Sequence, residues 1–181
     1  MEEFARKALN AFPEWLRSLG DDLVALSDLL KDTELSEDVR LWVASSVSYV
    51  FKSVDLIPDG IEDLGYLDDA FVMRVVASRG VEQLEQAGAS SPPVLSKLAE
   101  DATLIKEFLG SEYARLDEFV SGLRIAVVRG KSPSDIVQDP TLAAQVRDEV
   151  GVFARSYQMP EFTQEERTLI KLKSFLSTKL P

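Results

Sequence analysis

The sequence predicts an all-α protein, a multi-helix bundle built of antiparallel helical hairpins. Apolar residues recur every three to four positions along nearly the whole chain, which is the spacing of an amphipathic helix. Proline and glycine interrupt this pattern at intervals that suit helix ends. No segment shows the alternation of apolar and polar residues that a half-buried strand requires. With 181 residues, 45% of them apolar, the chain is long enough to bury a core of about seven to nine helices.

The N-terminal third predicts three helices. Apolar spacing indicates helices over 2–12 and 14–31, which we expect to be separated at Pro13, because a proline ring suits the first turn of a helix. Ser36 is the predicted N-cap of a third helix, and the first turn of that helix carries two acids. That helix is expected to end near Lys52.

The middle of the chain predicts a helix over 66–79 that stops at Gly80. The stretch "QAGASSPPV" is small, polar and proline-rich, and predicts a possible linker at 88–93. Two apolar stripes follow, over 95–109 and 113–127, each in steps of three and four residues. Together they predict a further antiparallel hairpin.

Three helix starts are predicted near the C-terminus. Ser132 and Asp139 each precede a proline, which is the sequence of an N-cap followed by the first helical residue. Thr163 stands three residues before Glu166 and predicts a capping box for the last helix. The lysines of that helix suggest contact with an acidic membrane, but packing of its apolar stripe against the bundle is the favoured interpretation.

The charge and the missing residue types exclude several functions. The net charge is −11, and residues 1–88 hold 18 acids against 8 bases, so the chain is not expected to bind nucleic acid. The same acidic half suits docking to a basic partner protein. The chain has no histidine and no cysteine, which removes the usual general base, the cysteine nucleophile and zinc–thiolate sites. Any metal must therefore be an oxygen-liganded ion such as Mg²⁺, Ca²⁺ or Mn²⁺.

The sequence also lacks the patterns of membrane insertion and export. The N-terminus has no basic start followed by an apolar stretch, and the longest uncharged apolar run, "LWVASSVSYVF", has only eleven residues. We therefore expect no transmembrane segment and a cytoplasmic location.

The segment "DLIPDGIEDLGYLDD", residues 55–69, concentrates carboxylates among apolar residues, and we call it the acidic turn. Pro58 predicts the start of a short helix that Gly65 ends, so most of the acids are interpreted as helix-start charges that complement the helix dipole. The carboxylates of the acidic turn are Asp55, Asp59, Glu62, Asp63, Asp68 and Asp69.

Asp68 fits this structural interpretation less well, because helical spacing places it on the same face as the valines that follow. We expect it to be half-buried and paired with Lys52, Arg74 or Arg40.

A metal site is the second interpretation of the acidic turn. If the turn folds back, the carboxylates of Asp55, Asp59, Asp68 and Asp69 could converge on one hard cation. Their spacing does not match an EF-hand loop. Helix caps and ion pairs are therefore the favoured interpretation, followed by the metal site and then by a surface for partner docking.

The acidic turn and the aromatic-rich helix before it resemble the YkvA-like family, a bacterial domain of unknown function (DUF1232). The resemblance covers about residues 47–76. It implies a small helical hairpin around an acidic turn, at about 36–79, and it implies no established activity. The residues in register are Asp55, Leu56, Ile57, Pro58, Asp59, Ile61, Leu64, Gly65, Leu67, Asp68 and Asp69.

These observations favour a non-catalytic module that binds a protein partner through its acidic half, with a homo-oligomer as one option. The alternative is a divalent-metal-binding protein, or a metal-dependent phosphoesterase, with an all-carboxylate site at the acidic turn. We expect one domain over 1–181, with the helical hairpin at 36–79 and a C-terminal helical half at 94–181.

Overall fold

The chain folds into eight α-helices, as seen in a computed structural model that describes residues 2–52 and 55–181. Short 3-10 turns extend three of the helices. Within the described residues there is no β-strand beyond one isolated bridge, so the predicted all-α bundle is confirmed. The helices are α1 (Glu2–Asp28), α2 (Glu37–Val50), α3 (Leu67–Gln86), α4 (Pro93–Leu109), α5 (Tyr113–Gly122), α6 (Pro133–Gln138), α7 (Pro140–Ser156) and α8 (Glu166–Lys179).

Helix α3 lies at the centre of the bundle and packs most extensively against α4 and α2. Helix α6 covers α2, while α1 contacts α2, α3, α4, α7 and α8. The buried apolar side chains form one continuous cluster from Ala8 to Leu180. The segment 88–93 joins α3 to α4, which pack against each other. The single domain stays a prediction, and this continuous core agrees with it.

Helices α1 and α7 pack along each other although they are far apart in sequence. The hydroxyl of Tyr157 donates a 2.7 Å hydrogen bond to the carbonyl oxygen of Leu16, across 141 residues. Arg147 donates to Asp28 at 2.6 Å, across 119 residues. Gly20 faces Ala154 across this contact, where a Cβ would lie 3.4 Å from the Cα of Ala154.

Two predicted helix boundaries in the N-terminal half are wrong. Helix α1 continues through Pro13, because apolar residues on both sides of the proline, including Phe12 and Leu16, are fully buried and offset the lost hydrogen bond. Helix α3 continues past Gly80 to Gln86. This glycine is buried beside Leu95 of α4, and packing of the surrounding helix outweighs its low helix propensity.

The C-terminal predictions have mixed outcomes. The N-caps at Ser132 and Asp139 are confirmed, since both side chains accept hydrogen bonds from backbone N–H groups of the helices they precede. The second stripe of the predicted hairpin is too long, because α5 ends at Gly122 and Val127 is 67% exposed. The apolar stripe of α8 faces the bundle, as Leu169, Leu172 and Leu176 are buried. The C-terminal helix is thus packed as the favoured interpretation expected.

A buried arginine links three helices of the core. The guanidinium of Arg74, on α3, is 1% exposed and lies 4.2 Å from the centroid of the Trp15 ring. It donates to Asp101 of α4 at 3.0 Å and lies 3.6 Å from Asp22 of α1. Lys97 also reaches Asp22, at 3.0 Å. This charge network ties α1, α3 and α4 together in a region otherwise filled by apolar side chains.

Candidate functional site

The acidic turn adopts a series of tight turns rather than the predicted short helix. Asp63 and Tyr66 have left-handed backbone conformations, with φ values of 66° and 63°, which a continuous right-handed helix excludes. Gly65 is required by close packing of the backbone on itself: a Cβ at this position would lie 2.0 Å from the carbonyl oxygen of Asp59. The prediction of a helix beginning at Pro58 is therefore wrong, and the chain instead folds back on itself between α2 and α3.

Asp68 is fully buried in the first turn of α3, and its partners are not the predicted cations. Its Oδ2 accepts a 2.6 Å hydrogen bond from the Tyr49 hydroxyl and a 3.0 Å hydrogen bond from the Ile57 N–H. The same hydroxyl accepts from the Leu56 N–H at 2.9 Å. Asp68 therefore anchors the start of the acidic turn to the end of α2.

The expected partners of Asp68 are engaged elsewhere or form no ion pair with it. Arg74 faces Asp22 and Asp101, and the ammonium of Lys52 lies 5.2 Å from the Phe119 ring centroid. Arg40 makes no ion pair with Asp68 either. The expectation of a half-buried Asp68 paired with a basic side chain is wrong, because neutral donors from α2 and the turn backbone take that place.

Three buried carboxylate oxygens have no hydrogen-bond partner in the described part of the chain. They are Oδ1 of Asp55, Oδ1 of Asp68 and Oδ1 of Asp69. Asp69 is 1% exposed, like Asp68, and lies beside it in the first turn of α3. A buried polar atom without a partner is costly, so three of them in one segment call for a proton or a cation.

The pKa values of the same aspartates rise for a shared physical reason. Burial, followed by the charges of Asp68 and Asp59, raises the pKa of Asp55 to about 7. Burial raises the pKa of Asp68 to about 6, although the hydrogen bonds from Tyr49 and Ile57 oppose this rise. Burial and then the charges of Asp68, Asp59 and Asp55 raise the pKa of Asp69 well above its usual range. The pKa of Asp59 is raised by burial and lowered by the nearby Tyr66 hydroxyl.

These mutual effects indicate that the four aspartates of the predicted metal site lie close enough to repel one another. Their arrangement is nevertheless not a ready metal site. Across residues 2–52 and 55–181, no three acidic side chains are positioned to hold a metal ion. The metal ligation predicted for Asp55, Asp59, Asp68 and Asp69 therefore stays a prediction.

The exposed edge of the acidic turn is held by the segment that leads into α8. The N–H of Thr163 donates a 2.8 Å hydrogen bond to Oδ1 of Asp63. Hydrogen bonding by the Thr163 side chain, with a smaller effect of its N–H, lowers the pKa of Asp63. Lys171 donates to the carbonyl oxygen of Glu62 at 2.8 Å. The predicted capping box of α8 is wrong for this reason: Glu165 is the N-cap, without a side-chain hydrogen bond, and Thr163 contacts the turn instead.

Within the described residues, the carboxylates of the acidic turn form no ion pair with any lysine or arginine. Acids in other parts of the N-terminal half do form such pairs, for example Asp38 with Arg124 at 2.9 Å. The acidic turn thus presents acids without an ion-pair partner at one end of the α2–α3 hairpin. Asp59 and Glu62 are its exposed members.

An open cleft of about 540 Å³ lies beside the acidic turn, between the end of α2 and the middle of α7. Aromatic rings line it: Phe153 packs against Phe51 at 6.1 Å and against Tyr66 at 6.0 Å between ring centroids. We call it the aromatic–acidic cleft. Its full lining is Val50, Phe51, Asp59, Tyr66, Arg129, Asp148, Glu149, Val152 and Phe153.

Sequence reasoning missed most of this cleft. Asp148, Glu149 and Phe153 belong to α7, about ninety residues after the acidic turn, so no local pattern connects them to Asp59. Tyr49 was also missed as the partner of Asp68, although its position in the aromatic-rich helix before the turn was a usable signal.

Comparison with known proteins finds a match for the segment that contains the acidic turn. Residues 39–74 match the family described as "Protein of unknown function (DUF1232)", a segment that covers about a fifth of the chain. The predicted resemblance to that family is confirmed for this segment, and the YkvA-like label stays a prediction. No curated protein matches the chain, and no solved structure matches it.

The matched segment contains nearly all of α2, the acidic turn and the first turns of α3, so Tyr49, Asp68 and Asp69 all lie within it. The rest of the aromatic–acidic cleft, contributed by Arg129 and by α7, lies outside it. No helix in the described part of the chain is both long and apolar enough to cross a membrane.

Proposed function

We propose that this protein is a non-catalytic interaction module that docks a basic segment of a partner protein at the acidic turn. The observation that carries the proposal is that Asp59 and Glu62, the exposed carboxylates of that turn, form no ion pair with any lysine or arginine of the described residues. Charges left unpaired on a surface attract a complementary partner and speed its association. A cytoplasmic location and self-association into a homo-oligomer remain separate predictions.

The site offers a basic segment both charge and apolar contact. Asp59 and Glu62 are exposed at the acidic turn, and Asp148 is exposed across the cleft. Between them lie aromatic rings and Val152, which is 58% exposed. Aromatic side chains flanked by polar groups are typical of residues that contribute most to protein–protein affinity.

Binding of a defined basic peptide tests this proposal. The probe is a fluorescent nine-residue peptide that carries one arginine and three lysines, and its anisotropy is measured against protein concentration at 50 and 300 mM salt. We expect saturable binding that weakens as salt increases. An acidic peptide of equal length should not bind.

A matched pair of variants separates docking at the acidic turn from attraction by the net charge. Asp59→Asn with Glu62→Gln neutralises two exposed acids of the turn, and Glu85→Gln with Glu100→Gln neutralises two exposed acids outside it. Glu85 lies at the opposite end of α3 from the turn, about 30 Å along the helix. Only the first variant is expected to weaken binding. Equal loss in both variants, or no binding by the wild type, overturns the proposal.

A divalent-cation site at the same turn is the second candidate function. The three partnerless oxygens of Asp55, Asp68 and Asp69 favour it, because a hard cation such as Mg²⁺, Ca²⁺ or Mn²⁺ would provide each of them with a ligand bond. It would also offset the burial and the mutual repulsion that raise the pKa values of Asp55 and Asp69. The present arrangement of the side chains does not form such a site, so binding would require these carboxylates to reorient.

Thermal unfolding distinguishes metal binding from protonation at the three partnerless carboxylate oxygens. A cation that binds only the folded state raises the melting temperature as its concentration rises. Melts are recorded in EDTA and in millimolar Mg²⁺, Ca²⁺ and Mn²⁺, with Asp69→Asn as the variant that removes one ligand. An increase in the wild type that the variant lacks supports the site. Equal melting temperatures in all four solutions reject it.

A further inference from the structure

The aromatic–acidic cleft already holds a cation supplied by the chain itself. The guanidinium of Arg129 lies 5.2 Å from the centroid of the Phe51 ring, within the range of a cation–π contact. It also lies 4.0 Å from the carboxylate of Glu149. The Arg129 side chain is nevertheless 63% exposed. A guanidinium at this place is thus compatible with the cleft but is not buried by it.

The backbone that presents Arg129 is unfavourable for an arginine. Val128 and Lys131 exchange two backbone hydrogen bonds, of 2.9 and 3.0 Å, around a two-residue turn. Both turn residues are left-handed, with φ of 51° at Arg129 and 76° at Gly130. Such turns favour asparagine or glycine at their first position. The turn therefore holds Arg129 over the cleft in a conformation that asparagine or glycine would adopt at lower cost.

The charge of the cleft exceeds what Arg129 neutralises. Asp59, Asp148 and Glu149 provide three carboxylates against the guanidinium of Arg129 and the ammonium of Lys131, which leaves a formal charge of −1. Glu149 is shared with Lys131, at 3.3 Å. Asp148 forms no ion pair with any residue that the structure describes. Asp59 and Asp148 are therefore the two cleft carboxylates that remain free to bind a second cation.

We propose that the aromatic–acidic cleft binds an arginine side chain of the basic partner segment, and that Arg129 occupies the Phe51 ring until this side chain displaces it. The inference rests on the proposed docking function and names the part of the partner that is recognised. A planar guanidinium suits the site better than an ammonium, because it stacks on aromatic rings and presents several donors to two carboxylates. Arg129 acts as an internal competitor that lowers the affinity for the partner.

Three versions of the nine-residue basic peptide test this assignment. They differ only at the single arginine, which is kept, replaced by lysine, or replaced by citrulline, a neutral isostere of arginine. Affinity is measured by anisotropy, and the ring signals of Phe51, Tyr66 and Phe153 are followed by NMR. We expect the arginine peptide to bind most tightly and to shift these signals, with the citrulline peptide weakest.

Two variants of the cleft should change the affinity for the arginine peptide in opposite directions. Asp148→Asn should lower affinity for the arginine peptide about threefold, as expected for loss of one exposed ion pair, and should change affinity for the citrulline peptide much less. Arg129→Asn removes the competing guanidinium and suits the left-handed turn, so it should raise affinity for the arginine peptide. Glu85→Gln is the control with no expected effect. Near-ultraviolet circular dichroism verifies that each variant is folded.

The outcomes separate this inference from the docking function. All three peptides could bind the wild type equally while Asp59→Asn/Glu62→Gln still weakens their binding. This result overturns the cleft assignment but leaves docking at the acidic turn intact. Preference for the lysine peptide likewise overturns the guanidinium assignment. If Arg129→Asn lowers the affinity for the arginine peptide, Arg129 does not compete with the partner's arginine, and that part of the proposal is wrong. Absence of binding by every peptide overturns both proposals.

Discussion

The Tyr49 hydroxyl donates a 2.6 Å hydrogen bond to Oδ2 of Asp68 and accepts one from the Leu56 N–H. One phenol thus joins the last turn of α2, the first residues of the acidic turn and the first turn of α3. Burial and the charge of Asp68 raise the pKa of Tyr49 far above its usual range, so the phenol stays protonated and remains a donor.

Tyr49→Phe is expected to lower the free energy of unfolding by about 1–3 kcal/mol, because it removes a donor from a buried carboxylate and an acceptor from a buried N–H. Urea unfolding measures the loss. Tyr113→Phe is the matched control, since its hydroxyl makes no hydrogen bond within the described residues, and its effect should stay within about 0.5 kcal/mol. Similar losses in the two variants would contradict the role given to Tyr49.

The raised pKa values of Asp55, Asp68 and Asp69 predict that stability falls as pH rises. The folded state binds more protons than the unfolded state between the usual aspartate pKa and the raised values, up to about 7 for Asp55. The stability that these aspartates contribute is therefore fully present below their pKa in the unfolded state. It is lost as the pH rises through their higher pKa values in the folded state. In EDTA, we expect the free energy of unfolding to be roughly 2 kcal/mol lower at pH 8 than at pH 5.

Asp68→Asn provides the control for this pH dependence, because it removes one buried charge and lessens the repulsion on Asp55 and Asp69. The variant should show a shallower decrease of melting temperature between pH 5 and pH 8. The prediction fails if the wild type becomes more stable over that range, or if wild type and variant have the same slope.

Arg74→Met is expected to destabilise the fold by about 3 kcal/mol, because it leaves Asp22 and Asp101 without their shared buried cation. Arg79→Met is the comparison. Arg79 is 35% exposed and pairs with Asp117 and Glu82 nearer the surface, so its loss should cost less than about 1 kcal/mol. Chemical denaturation of both variants measures the difference, and equal losses would show that burial of Arg74 adds no stability.

Gly65→Ala is expected to cost about 2–3 kcal/mol, since the added Cβ would overlap the carbonyl oxygen of Asp59. Gly60→Ala, five residues earlier, adds a Cβ with no neighbouring atom within 4 Å, and should be nearly neutral. The displaced backbone of Asp59 should also weaken binding of the basic peptide in Gly65→Ala. A neutral effect of Gly65→Ala would mean that the turn has room to shift.

The sequence predicted what local patterns determine. Helical periodicity identified the all-α class, and Ser132 and Asp139 identified two helix starts because an N-cap interacts with its own first turn. The helix ends predicted at Pro13 and Gly80 are wrong because the local preference of these residues opposes a helix, whereas burial of the surrounding side chains favours one.

The site was predictable only in part. The carboxylates of the acidic turn stand out because they are dense in sequence, yet their burial depends on how α2, α3 and α7 pack. Thr163 shows that local spacing does not predict contacts between distant residues. Its spacing from Glu166 fits a capping box, but its N–H instead contacts Asp63, one hundred residues away. The cleft residues of α7 have no sequence signal that links them to Asp59.

The packing of α7 on α1 has a consequence for the order of folding. Helices α2, α3 and α4 contact their sequence neighbours, so they can associate after closing short loops. The hydrogen bond from Tyr157 to Leu16 closes a loop of 141 residues and requires both ends of the chain. We therefore expect α7 to dock late in refolding, and the aromatic–acidic cleft to form only when that slow step is complete.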